Sequence, residues 1–125
     1  MRITRRFIEE DNFLLTKISG TLNDQRLMKY LTLLNRNAQR LTACKQLVDC
    51  RGVSCMNDIS VRGTTEYAKQ EPTQQEDLLA LLIPNGPLSF GMARVYQTFA
   101  TEKRRAVQIF CDFDQAKAWL ENPII

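Results

Sequence analysis

The chain has 125 residues, of which 44% are hydrophobic and 25% are charged, and its formal net charge is +3. This length and composition predict a single globular domain over residues 1–125 with an apolar core of its own. The charge is too small and too scattered to predict a nucleic-acid-binding surface, and no apolar run reaches the roughly 18 residues that a membrane helix needs.

The first residues include three arginines, at Arg2, Arg5 and Arg6. The acidic Glu9 and Glu10 then follow, where a secretory signal would have its apolar segment. We therefore expect a cytoplasmic protein.

The sequence contains no histidine. Nucleophiles activated by histidine, histidine acid–base catalysis and most transition-metal sites are therefore excluded. Glu66 and Glu71 lie five positions apart in a weak helix and do not share a face well, so they do not predict an acid–base pair. We expect no enzyme activity, no cofactor and no metal site.

The four cysteines form no Cys-x-x-Cys pair. Cys50 and Cys55 are separated by four residues, a spacing that matches no common zinc site. Cys44, Cys50 and Cys111 lie in or beside apolar segments, which favours reduced thiols in or near the core. Redox sensing by a Cys50–Cys55 pair is the alternative.

Two strands are predicted at the start of the chain, over residues 2–9 and 13–19, and the polar turn between them indicates an antiparallel hairpin. Gly20 is expected to end the second strand, and Thr21 is placed to cap the helix that follows. In that helix one apolar stripe recurs at helical spacing, formed by Leu27, Leu31, Leu34, Ala38 and Leu41.

The middle of the chain predicts a strand, a sharp turn and a helix. A short apolar strand over residues 46–49 is expected to end before Gly52. Asn57 or Asp58 would then cap a helix over 59–70. This helix is the weakest in the chain, because its apolar stripe is thin and it contains poor helix formers.

The second half of the chain alternates strands and helices. The continuous apolar run over 77–83 predicts a fully buried parallel strand. A helix over 90–102, a solvated basic turn over 103–105, a strand over 105–111 and a helix capped by Asp112 follow. The order β-β-α-β-α-β-α-β-α implies right-handed crossovers and a five-stranded mixed, mostly parallel sheet with four helices, an α/β fold.

Three segments resemble sequences of known proteins. Residues 49–58, with the sequence Asp-Cys-Arg-Gly-Val-Ser-Cys-Met-Asn-Asp, resemble the central run of STAS domains in anti-sigma-factor antagonists. Residues 90–97, Phe-Gly-Met-Ala-Arg-Val-Tyr-Gln, and 116–120, Ala-Lys-Ala-Trp-Leu, resemble small bacterial SpoIIAA-like (STAS-like) proteins, a functionally uncharacterised family. The resemblance covers nearly the whole chain and implies a SpoIIAA-like domain.

The resemblance also implies a non-enzymatic binding or regulatory module that docks a protein partner or self-associates. One position departs from the antagonist pattern, because Asp58 stands where antagonists carry a phosphorylated serine. Asp58 is interpreted either as a helix cap or as a weak mimic of the phosphorylated state, since phosphate carries about −1.5 to −2 charges. The alternative function is a carrier of a lipid or other small apolar ligand, of the CRAL-TRIO-like kind.

Two strand-to-helix turns are candidate binding surfaces. In the turn after the third strand, the candidate binding residues are Arg51, Ser54 and Asp58. In the turn before the third helix, Gly91 either permits close helix packing or leaves amides free for an anion.

Arg94 and Tyr96 follow in the predicted third helix. If Arg94 faces inward, its burial requires a carboxylate such as Asp49 or Asp58, and ligand recognition is the alternative role. Tyr96 either lines the same cleft or packs in the core.

Overall fold

The computed structural model describes residues 1–36, 45–54 and 58–123. Within these ranges the chain forms five strands, four α-helices and one 3₁₀ turn. They are β1 Arg2–Ile8, β2 Phe13–Thr21, α1 Asp24–Arg36, β3 Lys45–Ser54, α2 Val61–Gln70, β4 Leu78–Leu82, α3 Pro87–Ala100, the 3₁₀ turn Thr101–Lys103, β5 Ala106–Phe110 and α4 Phe113–Glu121. The predicted order of strands and helices is confirmed.

The strands lie in one sheet in chain order, β1-β2-β3-β4-β5. β1 runs antiparallel to β2, and the other neighbouring strands are parallel. All five residues of β4 are buried, as expected for a parallel strand covered on both faces. The predicted mixed, mostly parallel sheet is confirmed.

Helices pack on both faces of the sheet. Leu31 of α1, Tyr67 of α2 and Met92 of α3 share one core cluster with residues of β2 and β3. Ala116 and Leu120 of α4 pack on the other face, against residues of β2, β3, β4 and β5. None of the helices formed by the described residues has the length and apolar character needed to span a bilayer.

Two glycines that were predicted to interrupt strands lie inside them instead. Gly20 adopts a φ of 86° within β2, which continues to Thr21. Gly52 lies within β3 opposite Ser19, where a Cβ would come within 2.9 Å of the Ser19 Cβ. The pairing register shifts between Lys17 and Ser19, so the strands continue past an irregularity at which glycine fits.

The first helix is capped by Asn23, not by Thr21 as predicted. The Asn23 Oδ1 accepts a hydrogen bond from the Arg26 backbone N–H at 2.9 Å, whereas Thr21 is the last residue of β2. Three residues of the predicted apolar stripe are buried, namely Leu27, Leu31 and Leu34. Ala38 and Leu41 lie outside the described residues.

The last two helices begin where local chemistry favours a start. α3 begins at Pro87, earlier than the predicted start at Phe90, because proline suits the first position of a helix. α4 follows Asp112, whose carboxylate accepts a hydrogen bond from the Gln115 backbone N–H at 2.9 Å. The predicted cap at Asp112 is confirmed.

Candidate functional site

Arg51 and Ser54 lie within β3 rather than in the turn after it. The Arg51 guanidinium donates to both carboxylate oxygens of Asp49, from Nε to Oδ1 at 3.1 Å and from Nη2 to Oδ2 at 3.0 Å. This pair lies with Lys17 in an open surface cleft. Leu47 of the same strand packs with residues of α4. Because every second side chain of a strand points to the same face, the pair also lies on the α4 face of the sheet. Ser54 is exposed at the end of β3.

Asp58 is exposed and precedes α2 without capping it. The cap is Ser60, whose Oγ accepts a hydrogen bond from the Gly63 backbone N–H at 2.9 Å. Ser60 is held in turn by Asp24 of α1, which accepts from the Ser60 hydroxyl at 2.6 Å and from its backbone N–H at 2.9 Å. The prediction of a cap at Asp58 is therefore wrong, and Asn57 lies outside the described residues.

Gly91 and Arg94 lie on the exposed surface of α3. A Cβ added at Gly91 would have no neighbour within 4 Å, so the prediction of close helix packing there is wrong. Arg94 lies 6.0 Å from the centre of the Phe90 ring, and the Asp49 carboxylate is paired with Arg51 instead. The prediction of a buried ion pair at Arg94 is also wrong.

Tyr96 is the predicted site residue that lines a cavity. A cavity of about 140 Å³ lies between the sheet and the helices α1, α2 and α3, and we call it the helix–sheet cavity. Its walls are predominantly apolar and include Leu27, Val48, Ile59, Leu81, Ile83 and Met92.

Three tyrosines, one each from α1, α2 and α3, form a row of neighbouring rings in the cavity wall. The ring centres of Tyr30 and Tyr67 are 6.3 Å apart with an interplanar angle of 14°, and those of Tyr67 and Tyr96 are 6.2 Å apart at 37°. Burial raises the pKa of all three phenols, and the charge of Glu71 raises it further. All three therefore stay protonated at neutral pH and can donate hydrogen bonds.

A buried ion pair closes one side of the same cavity. The Arg104 Nη1 and the Tyr96 hydroxyl both donate to the Glu71 Oε1, at 2.7 Å and 2.5 Å. Burial alone would lower the pKa of the Arg104 guanidinium, but Tyr96 and Glu71 raise it above its ordinary value, so Arg104 stays charged. The Lys103 Nζ donates to the Glu71 carbonyl at 2.9 Å and fixes the end of α2.

The role of Glu71 and Arg104 escaped the sequence prediction. The prediction of a solvated turn over residues 103–105 is wrong for Arg104, which is buried, while Arg105 is exposed. Three consecutive basic residues give no local signal that the middle one points inward. The partner Glu71 lies 33 residues earlier, so the pairing follows only from the fold.

Metal binding and thiol chemistry each require a particular arrangement of side chains. No three Cys, Asp or Glu side chains come together there as a metal site would require. Burial raises the pKa of the Cys50 thiol to about 12, which makes the reactive thiolate scarce at neutral pH. Cys55 lies outside the described residues, so a Cys50–Cys55 redox pair stays a prediction.

The architecture is that of a SpoIIAA-like α/β domain. A solved structure of an uncharacterised protein of the DUF3478 family from Shewanella loihica PV-4, which has a SpoIIAA-like fold, matches with a TM-score of 0.57 and 19% sequence identity. The match covers 95% of this chain and 92% of that protein. No family model matches the sequence, and no curated protein matches it either. The predicted SpoIIAA-like fold is confirmed.

Proposed function

We propose that this protein is a non-enzymatic module that binds a small apolar molecule in the helix–sheet cavity. The observation that carries the proposal is the cavity itself, with its volume of about 140 Å³ and predominantly apolar walls. Engineered apolar cavities of about 150 Å³ stay dry and take up benzene. The cavity is therefore large enough for one aromatic ring or a short alkyl chain.

The polar groups in the wall support binding rather than catalysis. The Glu71 carboxylate is the natural candidate for a general base, but its Oε1 already accepts from Arg104 and Tyr96. With two donors on it, that oxygen is already engaged inside the protein. The same network fixes the positions of α2 and α3, which keeps the cavity in shape.

The first test is a titration with toluene. Binding is measured through the NMR signals of the methyl groups that line the cavity. Ala93 is buried and lines the cavity, so Ala93→Leu should fill part of the space and weaken toluene binding. Ala118 is exposed on α4, so Ala118→Leu should bind toluene as the wild type does. Wild-type protein that shows no saturable shift, or an Ala93→Leu variant that binds equally well, would contradict the proposal.

The natural ligand can be sought in the same protein. Purified protein is extracted with organic solvent, and the extract is analysed by mass spectrometry beside an extract of Ala93→Leu. We expect a small apolar compound in the wild-type extract that is depleted in the variant.

A second candidate function is docking of a protein partner or of a second copy of the chain. What favours it is a set of exposed apolar side chains in the first turns of α2 and α3: Val61 is 59% exposed, Leu88 49% and Phe90 51%. Both helices begin at the edge where the parallel strands end, and open α/β folds commonly bind there. Exposed apolar side chains that adjoin in one patch often mark interaction surfaces.

Light scattering over a range of concentrations tests self-association at this edge. If a second copy docks on this surface, the protein forms a dimer that Leu88→Ser and Phe90→Ser dissociate. The substitution Val61→Ser tests whether α2 contributes to the same dimer. If the protein is a monomer at every concentration, the partner must be a different protein. Affinity capture of a partner would then compare the wild type with Phe90→Ser, and equal capture by both would contradict docking at this edge.

We also propose that the protein acts in the cytoplasm. Two cysteines of the described residues, Cys50 and Cys111, are free thiols, which supports a reducing compartment such as the cytoplasm. Fractionation of cells that express the natural sequence tests it, and recovery of the protein outside the cytoplasmic fraction would contradict it.

A further inference from the structure

Charged side chains line one end of the helix–sheet cavity. Three lining residues lie at or just before the starts of β3, β4 and β5, and they are Gln46, Asp77 and Arg104. Apolar lining residues lie toward the opposite edge, where β3 and β4 end and α2 and α3 begin, and they include Val53, Ile59, Ile83 and Met92. Because these strands are parallel and in register, the two groups occupy opposite ends of one space.

One cation in the wall has an unused hydrogen-bond donor. The Nε of Arg5 is buried and has no hydrogen-bond partner among the described residues. Arg5 lines the cavity from β1, and its charge acts on Tyr30, whose pKa burial raises and Arg5 lowers. A buried donor without a partner is destabilising, so a ligand that supplies an acceptor gains affinity there.

The carboxylates of the wall are already engaged. Glu71 accepts from Arg104 and Tyr96, and the Asp77 Oδ2 accepts from the Gln74 backbone N–H at 2.9 Å. The phenols of Tyr30 and Tyr67, by contrast, make no hydrogen bond within the described part of the chain. The wall therefore offers unused donors, whereas each of its carboxylates already accepts a hydrogen bond from the protein.

We propose that the ligand of the helix–sheet cavity is a small amphipathic carboxylate. Its carboxylate accepts a hydrogen bond from the Arg5 Nε and from a tyrosine hydroxyl, and its apolar part extends toward Ile59 and Met92. Guanidinium groups match the planar geometry of carboxylates, and the cavity volume of about 140 Å³ limits the apolar part to one ring or a short chain. This inference rests on the proposed function, since it assigns a chemical class to the ligand of the same cavity.

The test compares two probes of nearly the same shape, benzoate and toluene, which differ by a carboxylate in place of a methyl group. Both are titrated into the full chain and into two variants, Arg5→Met and Arg6→Met. Arg6 is the exposed neighbour in β1 and points to the other face of the strand, so Arg6→Met controls for the loss of one positive charge.

We expect Arg5→Met to weaken benzoate binding by roughly tenfold to a hundredfold, the loss typical of a hydrogen bond to a charged group. Toluene binding should stay within about twofold in both variants, and Arg6→Met should leave benzoate binding unchanged. Toluene binding also reports that the cavity of Arg5→Met is intact. If it is lost, Arg5→Lys replaces Arg5→Met in the comparison, because lysine keeps the charge and removes the Nε.

The two proposals fail in different ways. If neither probe binds the wild type, the cavity does not take up small molecules and the proposed function is overturned together with this inference. If toluene binds but benzoate does not, or if benzoate binds Arg5→Met as tightly as the wild type, the proposed function stands and the carboxylate assignment is overturned.

Discussion

The carboxylate of Asp24 at the start of α1 lies against Gly63 in the first turn of α2. A Cβ at position 63 would overlap the carboxylate carbon of Asp24 and the nearer of its two oxygens. The same carboxylate holds Ser60, the cap of α2, through two hydrogen bonds. Glycine is a poor helix former, but here its missing side chain makes room for the contact between two helices. This contact secures α2, which forms part of the cavity wall.

Gly63→Ala should therefore destabilise the protein although alanine is the better helix former. Alanine gains about 1 kcal/mol in an open helix position, but the overlap pushes the Asp24 carboxylate away from Ser60 and breaks two hydrogen bonds, each worth about 0.5–1.5 kcal/mol. The control is Gly91→Ala in α3, where an added Cβ meets nothing within 4 Å, and we expect that variant to gain up to about 1 kcal/mol. Urea unfolding of both variants measures the difference, and a Gly63→Ala variant more stable than Gly91→Ala would contradict the contact.

Because only one face of the sheet carries the helix–sheet cavity, the two faces should differ in how well they accommodate a larger side chain. Ala93 lines the cavity from α3, whereas Ala116 of α4 is completely buried in the cluster on the other face. Ala93→Leu should fill space and change the free energy of unfolding by less than about 1 kcal/mol, whereas Ala116→Leu should lose about 1–3 kcal/mol through overpacking. Thermal unfolding of the two variants measures this, and equal losses would argue that the cavity is closed to a larger side chain.

The order of the elements could be predicted because its signals are local. The apolar run over 77–83 predicts β4, the spacing of the leucines in α1 predicts that helix, and Asp112 predicts the start of α4. Each signal depends on residues a few positions apart, so a single sequence contains it. The resemblance at residues 49–58 and 90–97 then points to the SpoIIAA-like fold.

The features that could not be predicted depend on partners far away in the chain. Gly52 stays inside β3 because β2 lies beside it. Ser60 is held by Asp24, 36 residues earlier, and Arg104 is buried because Glu71 receives it. Of the candidate site residues, Tyr96 lines the cavity, since it points inward from α3 while Arg94 points outward.

The pair Glu71–Arg104, in which both side chains are buried, should matter far more than the pair Asp49–Arg51, in which the arginine is exposed. Both side chains of the first pair are 5% exposed, whereas the Arg51 side chain is 46% exposed. Arg104→Met leaves the Glu71 charge buried without its partner, which should cost about 3–5 kcal/mol. Arg51→Met should cost less than about 1 kcal/mol, as is usual for pairs near the surface.

A double variant separates the ion pair from the packing of the arginine stem. Glu71→Gln combined with Arg104→Met removes both charges, so it should be more stable than Arg104→Met alone. Urea unfolding measures all four free energies. If the double variant loses the sum of the two single losses, the two charges are not coupled.

The Cys50 thiol should be slow to react. Burial raises its pKa to about 12, while Cys111 is exposed, and alkylation requires an accessible thiolate. A short pulse of iodoacetamide at neutral pH, read by mass spectrometry of peptides, should label Cys111 well before Cys50, and urea should remove the difference. Rapid labelling of Cys50 in the native protein, or a Cys50–Cys55 disulfide after mild peroxide, would instead support redox sensing.

The ion pair of Asp49 gives the stability a defined dependence on pH. Burial would raise the pKa of this carboxyl, but the hydrogen bonds from Arg51 outweigh burial and hold the pKa below its ordinary value. Since the pKa is lower in the folded protein than in the unfolded chain, Asp49 contributes stability above the unfolded pKa of about 3.9, and the contribution is lost as the pH falls through the folded value. Arg51→Met should therefore lose less stability than the wild type between pH 5 and pH 2. Urea unfolding across this range measures the slopes, and identical slopes would show that Arg51 does not set the titration of Asp49.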